Sequence, residues 1–79
     1  MNKGIAFVDS WGNLLSLDAD TDIENIEDMR QNFVSETGLV VEVFEIKCGN
    51  ELWLDVQSLI EQEKTETAWQ EILEHGEIT

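Results

Sequence analysis

An uncompensated negative charge constrains this chain more than any other feature of its sequence. Eighteen of the 79 residues are Asp or Glu and four are Lys or Arg, which gives a formal net charge of −14. Small soluble domains usually mix both signs and carry a net charge of roughly 2–8 in magnitude. A chain this acidic either stays disordered or buries a core strong enough to hold its carboxylates together against their mutual repulsion.

The apolar residues favour folding over disorder. They make up 42% of the chain, include three Trp and three Phe, and fall in blocks, whereas disordered acidic chains are poor in such residues. We therefore expect one acidic domain over residues 1–79. Cys48 is the single cysteine, and no apolar stretch has the length of a signal-peptide core or a membrane span. These features predict a reducing, cytoplasmic setting.

Turn residues and apolar spacing predict a hairpin and a helix in the first half of the chain. Residues 4–9 and 14–17 are expected to pair as two strands, because the Gly and Asn between them tolerate positive φ. Thr21 and Glu24 have the spacing of a capping box, and Gly38 is the expected end of the helix. The apolar stripe of this helix consists of Ile23, Ile26, Met29, Phe33 and Val34.

The second half is expected to contain two more strands and a broken helix. Residues 39–47 are rich in β-branched side chains, and residues 51–56 alternate apolar and polar. A bulge near Val43–Phe44 would place both acids of the first of these strands outside. The two apolar stripes of the C-terminal third lie on different faces of a continuous helix, so a break near Thr65 is expected. The predicted fold is α+β, a small antiparallel sheet of about four strands in the order ββαββα, with helices on one face and the last helix split.

The tryptophans are the candidate anchors for a partner. Alternation places Trp53 between Glu51 and Asp55, on the face of the predicted strand opposite its leucines. If helices cover one face of the sheet, Trp53 is exposed there, and tryptophan is a favoured interface residue. If the terminal helix or a dimer mate covers the second face, Trp53 is buried, and both readings stay open. Trp11 is a second anchor or a lid over the core edge, and Trp69 is expected in the core.

Catalytic and metal-binding motifs are weak or missing in the sequence. The run from residue 18 to residue 24 has acids where an EF-hand loop begins, but Ile23 replaces the required Gly and Met29 replaces the bidentate Glu. A helix N-terminus with extra acids explains this run better. His75 is the single histidine, and no cysteine cluster offers zinc ligands. We expect no metal, no cofactor and no enzymatic activity.

The charge instead predicts a basic protein partner. A chain at −14 is repelled by phosphate backbones and anionic membranes, so direct binding to nucleic acid or to a membrane is not expected. A basic surface that normally holds nucleic acid would attract it from a distance. The residues expected to contact such a partner are Asp20, Asp22, Glu24, Glu27, Asp28, Glu42, Glu45, Glu51, Trp53 and Asp55.

In size, acidity and lack of catalytic motifs, the chain resembles the small phage and mobile-element proteins that inhibit host defence, including DNA-mimic anti-restriction and anti-CRISPR proteins. The resemblance covers the overall character of the whole chain and includes no family motif, so no functional residue is carried over. It implies an inhibitor that acts in the cytoplasm of the host cell, as a monomer or a homodimer, by imitating the phosphate charge of DNA or RNA.

Three alternatives stay open. An immunity or antitoxin protein that caps a basic nuclease toxin would have the same electrostatics. A small adaptor subunit would bind through Trp53 and the apolar sheet face as much as through charge. A halophilic origin would also explain the acidity, although Glu outnumbers Asp twelve to six and large apolar residues are plentiful.

Overall fold

A four-stranded antiparallel sheet with the strand order β2-β1-β3-β4 forms the middle layer of the protein. The computed structural model describes residues 2–22 and 24–79, and of Asp22 only the backbone; Met1 and Ile23, the latter expected in the helical stripe, lie outside the described residues. The elements in chain order are β1 (Asn2–Asp9), β2 (Leu14–Ala19), a short 3-10 turn (Asp20–Asp22), α1 (Ile26–Thr37), β3 (Val41–Cys48), α2 (Asn50–Glu61), α3 (Thr65–His75) and β4 (Glu77–Ile78). The predicted α+β class and the small antiparallel sheet with helices are confirmed.

Strand β1 is buried on both of its faces, and this determines where the helices lie. Ile5 and Phe7 point into a core shared with α1, whereas Ala6 and Val8 point into a core shared with α2 and α3. Since successive side chains of a strand point to opposite faces, the helices cover both sides of the sheet and not the one side expected. A near-continuous apolar run, as in β1, is typical of a strand covered on both faces.

The two cores differ in size. The core beneath α1 contains Ile5, Phe7 and Val41, with Leu15, Met29, Phe33, Val34 and Val43 packed against it. The core beneath α2 and α3 contains Ala6, Val8, Leu14, Leu17, Ile46, Val56, Ala68, Trp69 and Ile72, with Phe44, Leu52, Trp53, Leu59 and Ile60 against it. Trp69 is 7% exposed and its ring centroid lies 5.2 Å from that of Phe44, so its predicted place in the core is confirmed. The larger core is where the helical hairpin of α2 and α3 attaches to the sheet.

Residues 51–56, predicted as a strand, form the first half of helix α2 instead. The strand prediction rested on six alternating residues, but a longer window shows helical spacing across the whole of α2. Its inward residues are Leu52, Trp53, Val56, Leu59 and Ile60. The fourth strand of the sheet is the short β4, which pairs with β3 through Ile78 opposite Ile46 and Glu77 opposite Lys47. The order of elements therefore departs from ββαββα after β3.

The pairing of β1 with β3 is regular over its whole length. It runs from Asn2 opposite Cys48 to Asp9 opposite Val41 without a shift, so β3 has no bulge near Val43–Phe44. The irregularity of the sheet lies between β1 and β2, at Phe7 and Val8. As a consequence, the two glutamates of β3 point to opposite faces of the sheet, as plain alternation requires.

The helix ends follow the chemistry of caps, although not always at the predicted residues. Helix α1 is capped by Asn25, whose side chain accepts a hydrogen bond from the backbone N–H of Asp28 at 3.1 Å, and not by Thr21. Gly38 ends α1 with φ 70°, as predicted. The predicted break near Thr65 is confirmed, and Glu63 in this turn has φ 63°.

At Gly4 a side chain of α2 approaches the sheet closely. A Cβ atom on Gly4 would lie 2.6 Å from Cζ3 and 2.7 Å from Cη2 of Trp53, and 2.9 Å from the carbonyl oxygen of Asp18. These separations are well below van der Waals contact. The absence of a side chain at Gly4 therefore lets the six-membered ring of the Trp53 indole pack directly against β1.

We predict that Gly4→Ala destabilises the protein by about 1–3 kcal/mol, since overpacking forces side chains or backbone to shift. Urea unfolding followed by circular dichroism measures this change. In a Trp53→Leu background the same substitution should cost less, because two of the three close atoms belong to the indole. An equal cost in both backgrounds would contradict the proposed contact.

Candidate partner-binding surfaces

The carboxylates of this protein are mostly without cationic partners. Within residues 2–22 and 24–79, Glu27 and Arg30 form the one Lys/Arg–carboxylate ion pair, with Oε1 and Nη2 2.5 Å apart. Ten acidic side chains make no hydrogen bond or ion pair among the described residues, namely Asp20, Glu24, Glu36, Glu42, Glu51, Asp55, Glu61, Glu63, Glu66 and Glu77. The fold therefore does not use most of its negative charge internally.

The acids predicted around the start of α1 separate into occupied and free groups. Glu27 accepts hydrogen bonds from Arg30 and Gln31, and Asp28 accepts one from the Asn25 amide in the helix cap. Glu24 is exposed and free, and so is Asp20 in the 3-10 turn. The side chain of Asp22, also predicted to bind a partner, lies outside the described residues.

The other predicted residues do not join the first group in one surface. Glu42 lies across from Val8 on the α2–α3 side of the sheet, and Glu45 lies across from Ile5 on the α1 side. Glu51 and Asp55 are exposed on α2. Their part in binding stays a prediction, but the predicted set is spread over both sides of the sheet.

Trp53 is half-buried and not exposed on a sheet face. It lies on helix α2 and not on the predicted strand, and it packs against the larger core and over Gly4, so neither reading of a strand face describes it. Trp11, in contrast, is 76% exposed in the turn between β1 and β2, which excludes a role as a lid over the core. The tryptophan available to a partner is therefore Trp11.

The largest group of acids lies on the helical hairpin, and five of its seven members make no hydrogen bond or ion pair among the described residues. We call this surface the α2–α3 acidic face and define it by Glu51, Asp55, Glu61, Glu63, Glu66, Glu71 and Glu74. These seven carboxylates are accompanied by one lysine, Lys64, and by His75, whose Nε2 lies 3.8 Å from Glu74 and 3.9 Å from Glu71. The helices run antiparallel, since Gly76 after α3 lies beside Leu52 near the start of α2.

The charge density of this face can be compared with that of nucleic acid. A 12-residue helix such as α2 is about 18 Å long. Six net negative charges along two such helices side by side correspond to roughly one per 3 Å of axis, against about one per 1.7 Å for duplex DNA and one per 3.4 Å for each of its strands. The linear charge density of the α2–α3 acidic face is thus about that of a single nucleic-acid strand.

A groove between the two helices could receive a side chain from a partner. It has a volume of about 280 Å³ and an apolar residue, Leu59, in its lining. Asp55 and Ser58 line it from α2, and Glu71 lines it from α3. Acids from both helices and an apolar lining suit the aliphatic stem and charged end of a lysine or arginine.

A second concave region, of about 300 Å³, lies near β4 and has mixed charge. Lys3 and Lys47 sit directly across from each other on β1 and β3, and Asp20, Glu45 and Thr79 complete the polar lining. Thr79 donates from its hydroxyl to the Glu45 carboxylate at 3.2 Å. Because both signs alternate here, this region does not resemble a row of phosphates.

Two features of the described residues bear on nucleophilic and metal chemistry. Cys48 ends β3 and is 3% exposed, and burial raises the pKa of its thiol, which keeps it from acting as a nucleophile. Within residues 2–22 and 24–79, no three His, Cys, Asp or Glu side chains converge as metal ligands. None of the helices described for this chain has the length and apolar character needed to cross a bilayer.

Comparison with protein-family models, with curated proteins and with solved structures gives no match for this chain. Its function is therefore inferred from the chemistry of its surfaces alone.

We predict that the Glu27 carboxyl titrates near pH 2. The hydrogen bond from Arg30, followed by that from Gln31, lowers its pKa from 4.5 to about 2. Because the folded-state pKa is depressed, the stabilisation from this pair is present above about pH 4.5 and is lost as the pH falls through about 2. Carbon-13 NMR of the side-chain carboxyl measures the midpoint. In Arg30→Gln it should move up towards the ordinary value, and an unchanged midpoint would exclude Arg30 as the cause.

We also predict that sodium chloride raises the thermal unfolding midpoint. Exposed like charges without partners destabilise the folded state, and salt shortens the range of their repulsion from about 10 Å at 0.1 M to about 3 Å at 1 M. The matched variant Glu61→Gln/Glu66→Gln/Glu74→Gln carries three fewer charges and should gain less from salt. Calorimetry of both proteins checks this, and a falling midpoint in the parent protein would contradict it.

Proposed function

We propose that this protein is a non-enzymatic inhibitor that occupies the basic nucleic-acid-binding surface of a host defence protein or nuclease. The observation that carries the proposal is the set of ten exposed carboxylates without internal partners. A fold that needed these charges for its own stability would pair them with lysines and arginines. Acids left free on a rigid domain are available for the cations of another protein.

Inhibition follows from competition for the same cations. Lysines and arginines that bind nucleic acid hold the phosphates through charge, and carboxylates at a similar linear density engage those side chains instead. The α2–α3 acidic face supports this role best, because it combines seven acids with a single lysine on two packed helices and the turn between them. The backbones of the six acids on the helices keep their relative positions, which reduces the entropy lost on binding.

The adaptor alternative loses its main support from the position of Trp53. That hypothesis required an exposed indole on an open sheet face, whereas Trp53 lies half-buried against Gly4 and the larger core. Charge is therefore the dominant means of recognition in the proposed function, and the target is a strongly basic surface in the cytoplasm of the host cell.

The proposed function can be tested with two variants of equal charge. The tagged protein captures a partner from a nuclease-treated bacterial lysate, and the purified partner is then assayed for nucleic-acid binding with and without the protein. Glu61→Gln/Glu66→Gln/Glu74→Gln neutralises part of the α2–α3 acidic face. Asp20→Asn/Glu24→Gln/Glu36→Gln neutralises the same number of acids elsewhere and is the matched control.

We expect the first variant to inhibit the partner about 10-fold less well than the control variant, as the loss of several exposed ion pairs allows. Inhibition by the parent protein should also weaken steeply as salt rises. Equal losses in both variants would indicate that overall charge, and not this face, determines binding. A partner that binds nucleic acid normally in the presence of the protein would exclude the proposed function.

A further inference from the structure

Trp11 is the most exposed large apolar residue among the described residues. Its exposed fraction is 76%, against 67% for Leu54 and 64% for Val40. A tryptophan exposed to this extent adds little to the core that stabilises the fold, and such residues are typical of binding surfaces.

The turn that carries Trp11 is built around one buried carboxylate. Asp9 is 8% exposed, and its Oδ1 accepts hydrogen bonds from the backbone N–H of Trp11 at 2.9 Å and of Asn13 at 3.0 Å. Its Oδ2 accepts a third from the Asn13 side-chain amide at 3.1 Å. Gly12, with φ 83°, closes the turn by donating from its N–H to the Asp9 carbonyl at 3.1 Å. The backbone of Trp11 is therefore fixed before any partner arrives.

The same turn is also attached to helix α3. The hydroxyl of Thr65, the first residue of α3, donates to the side-chain oxygen of Asn13 at 3.0 Å. Gly12 lies next to the buried ring of Trp69, since a Cβ atom there would be 4.0 Å from its Cδ1. Fixing an aromatic residue in place removes part of the entropy cost of binding.

The chain brings three acids and one lysine to this end of the sheet. Val40, also exposed, precedes β3 at the end where Val41 pairs with Asp9. Glu42 lies one pair further along β3, across from Val8. Glu63, Lys64 and Glu66 lie around Thr65 in the sequence, at the point where α3 meets the turn, so two acids and one lysine lie there. We call this surface the Trp11 end and define it by Trp11, Val40, Glu42, Glu63 and Glu66.

We propose that the Trp11 end docks onto an arginine of the basic partner, with the guanidinium stacked on the indole and the surrounding carboxylates balancing its charge. The proposal rests on the proposed function, and it adds which surface orients the complex and which cation it selects. A planar guanidinium stacks on an aromatic face and is less strongly hydrated than an ammonium, so arginine fits this surface better than lysine. A second copy of the chain fits it poorly, because two proteins at −14 would be brought together.

The test uses two peptides of equal charge, nonaarginine and nonalysine. Binding is measured by calorimetry in about 50 mM NaCl, where charge interactions are still strong, and the indole N–H signal of Trp11 is followed by NMR. Trp11→Ala removes the ring, and Trp11→Phe keeps an aromatic face. Leu54→Ala is the matched control, since it removes a side chain of similar exposure without an aromatic ring.

We expect nonaarginine to shift the Trp11 indole signal and to bind Trp11→Ala roughly two- to fivefold more weakly than the parent protein, the size of an exposed cation–π contact. Trp11→Phe should recover part of this loss. Leu54→Ala should bind nonaarginine like the parent protein. Trp11→Ala should weaken the binding of nonalysine less than that of nonaarginine.

Three results would overturn the proposal in distinguishable ways. If both peptides bind the parent protein and Trp11→Ala equally well, the acidic surfaces bind cations without Trp11, and the proposed function survives without this inference. If light scattering shows a dimer that Trp11→Ala dissociates, the Trp11 end is an interface between copies. If neither peptide binds the parent protein at low salt, recognition through charge fails, and the proposed function fails with it.

Discussion

The structure depends on the burial of β1 on both of its faces. This strand pairs with β2 on one side and β3 on the other, and its residues from Gly4 to Asp9 are all buried. Each face of the strand contributes to one of the two cores, so the four alternating residues from Ile5 to Val8 contact the helices on both sides of the sheet. Hydrophobic burial there, at about 25 cal/mol per Å² of apolar surface, offsets the repulsion among carboxylates that surround it.

The two ends of the buried segment of β1 have different tasks. At Gly4 the lack of a side chain leaves room for Trp53, and this contact attaches α2 to the sheet. At Asp9 the buried carboxylate builds the turn that presents Trp11 and, through Asn13, reaches Thr65 of α3. Trp53 thereby stabilises the fold, whereas Trp11 is exposed to solvent. Residue type alone could not predict this difference between the two tryptophans.

Local chemistry was sufficient to predict the elements that have strong local signals. The first hairpin, the helix that ends at Gly38, the strand β3 and the break near Thr65 all follow from turn residues, caps and periodicity. The strand prediction for residues 51–56 was wrong because a six-residue segment fits both the two-residue period of a strand and the 3.6-residue period of a helix. Leu59 and Ile60, further along the chain, extend the helical spacing and decide between the two. The position of Gly4 beneath Trp53 joins residues 49 apart in sequence, and no local pattern encodes such a contact. The sequence predicted that the binding surfaces would be acidic, but it did not predict where they lie. The acids named from sequence fall on both sides of the sheet.

The residues that stabilise this fold are apolar and buried, whereas the residues that carry its charge are exposed. Because the two sets are separate, the acids are free to contact another protein. The apolar stripe of α2 faces the sheet while its acids face outward, and α3 repeats the arrangement. Because ten carboxylates have no partner in the described fold, their removal one at a time should leave both cores unchanged. If lysines or arginines paired with them inside the fold, these carboxylates would no longer be free to bind another protein. A fold organised in this way tolerates a high local density of negative charge on one side and can keep an ordered aromatic residue at its end. In the proposed function, the acids attract a basic partner over a long range, and Trp11 on its hydrogen-bonded turn orients that partner.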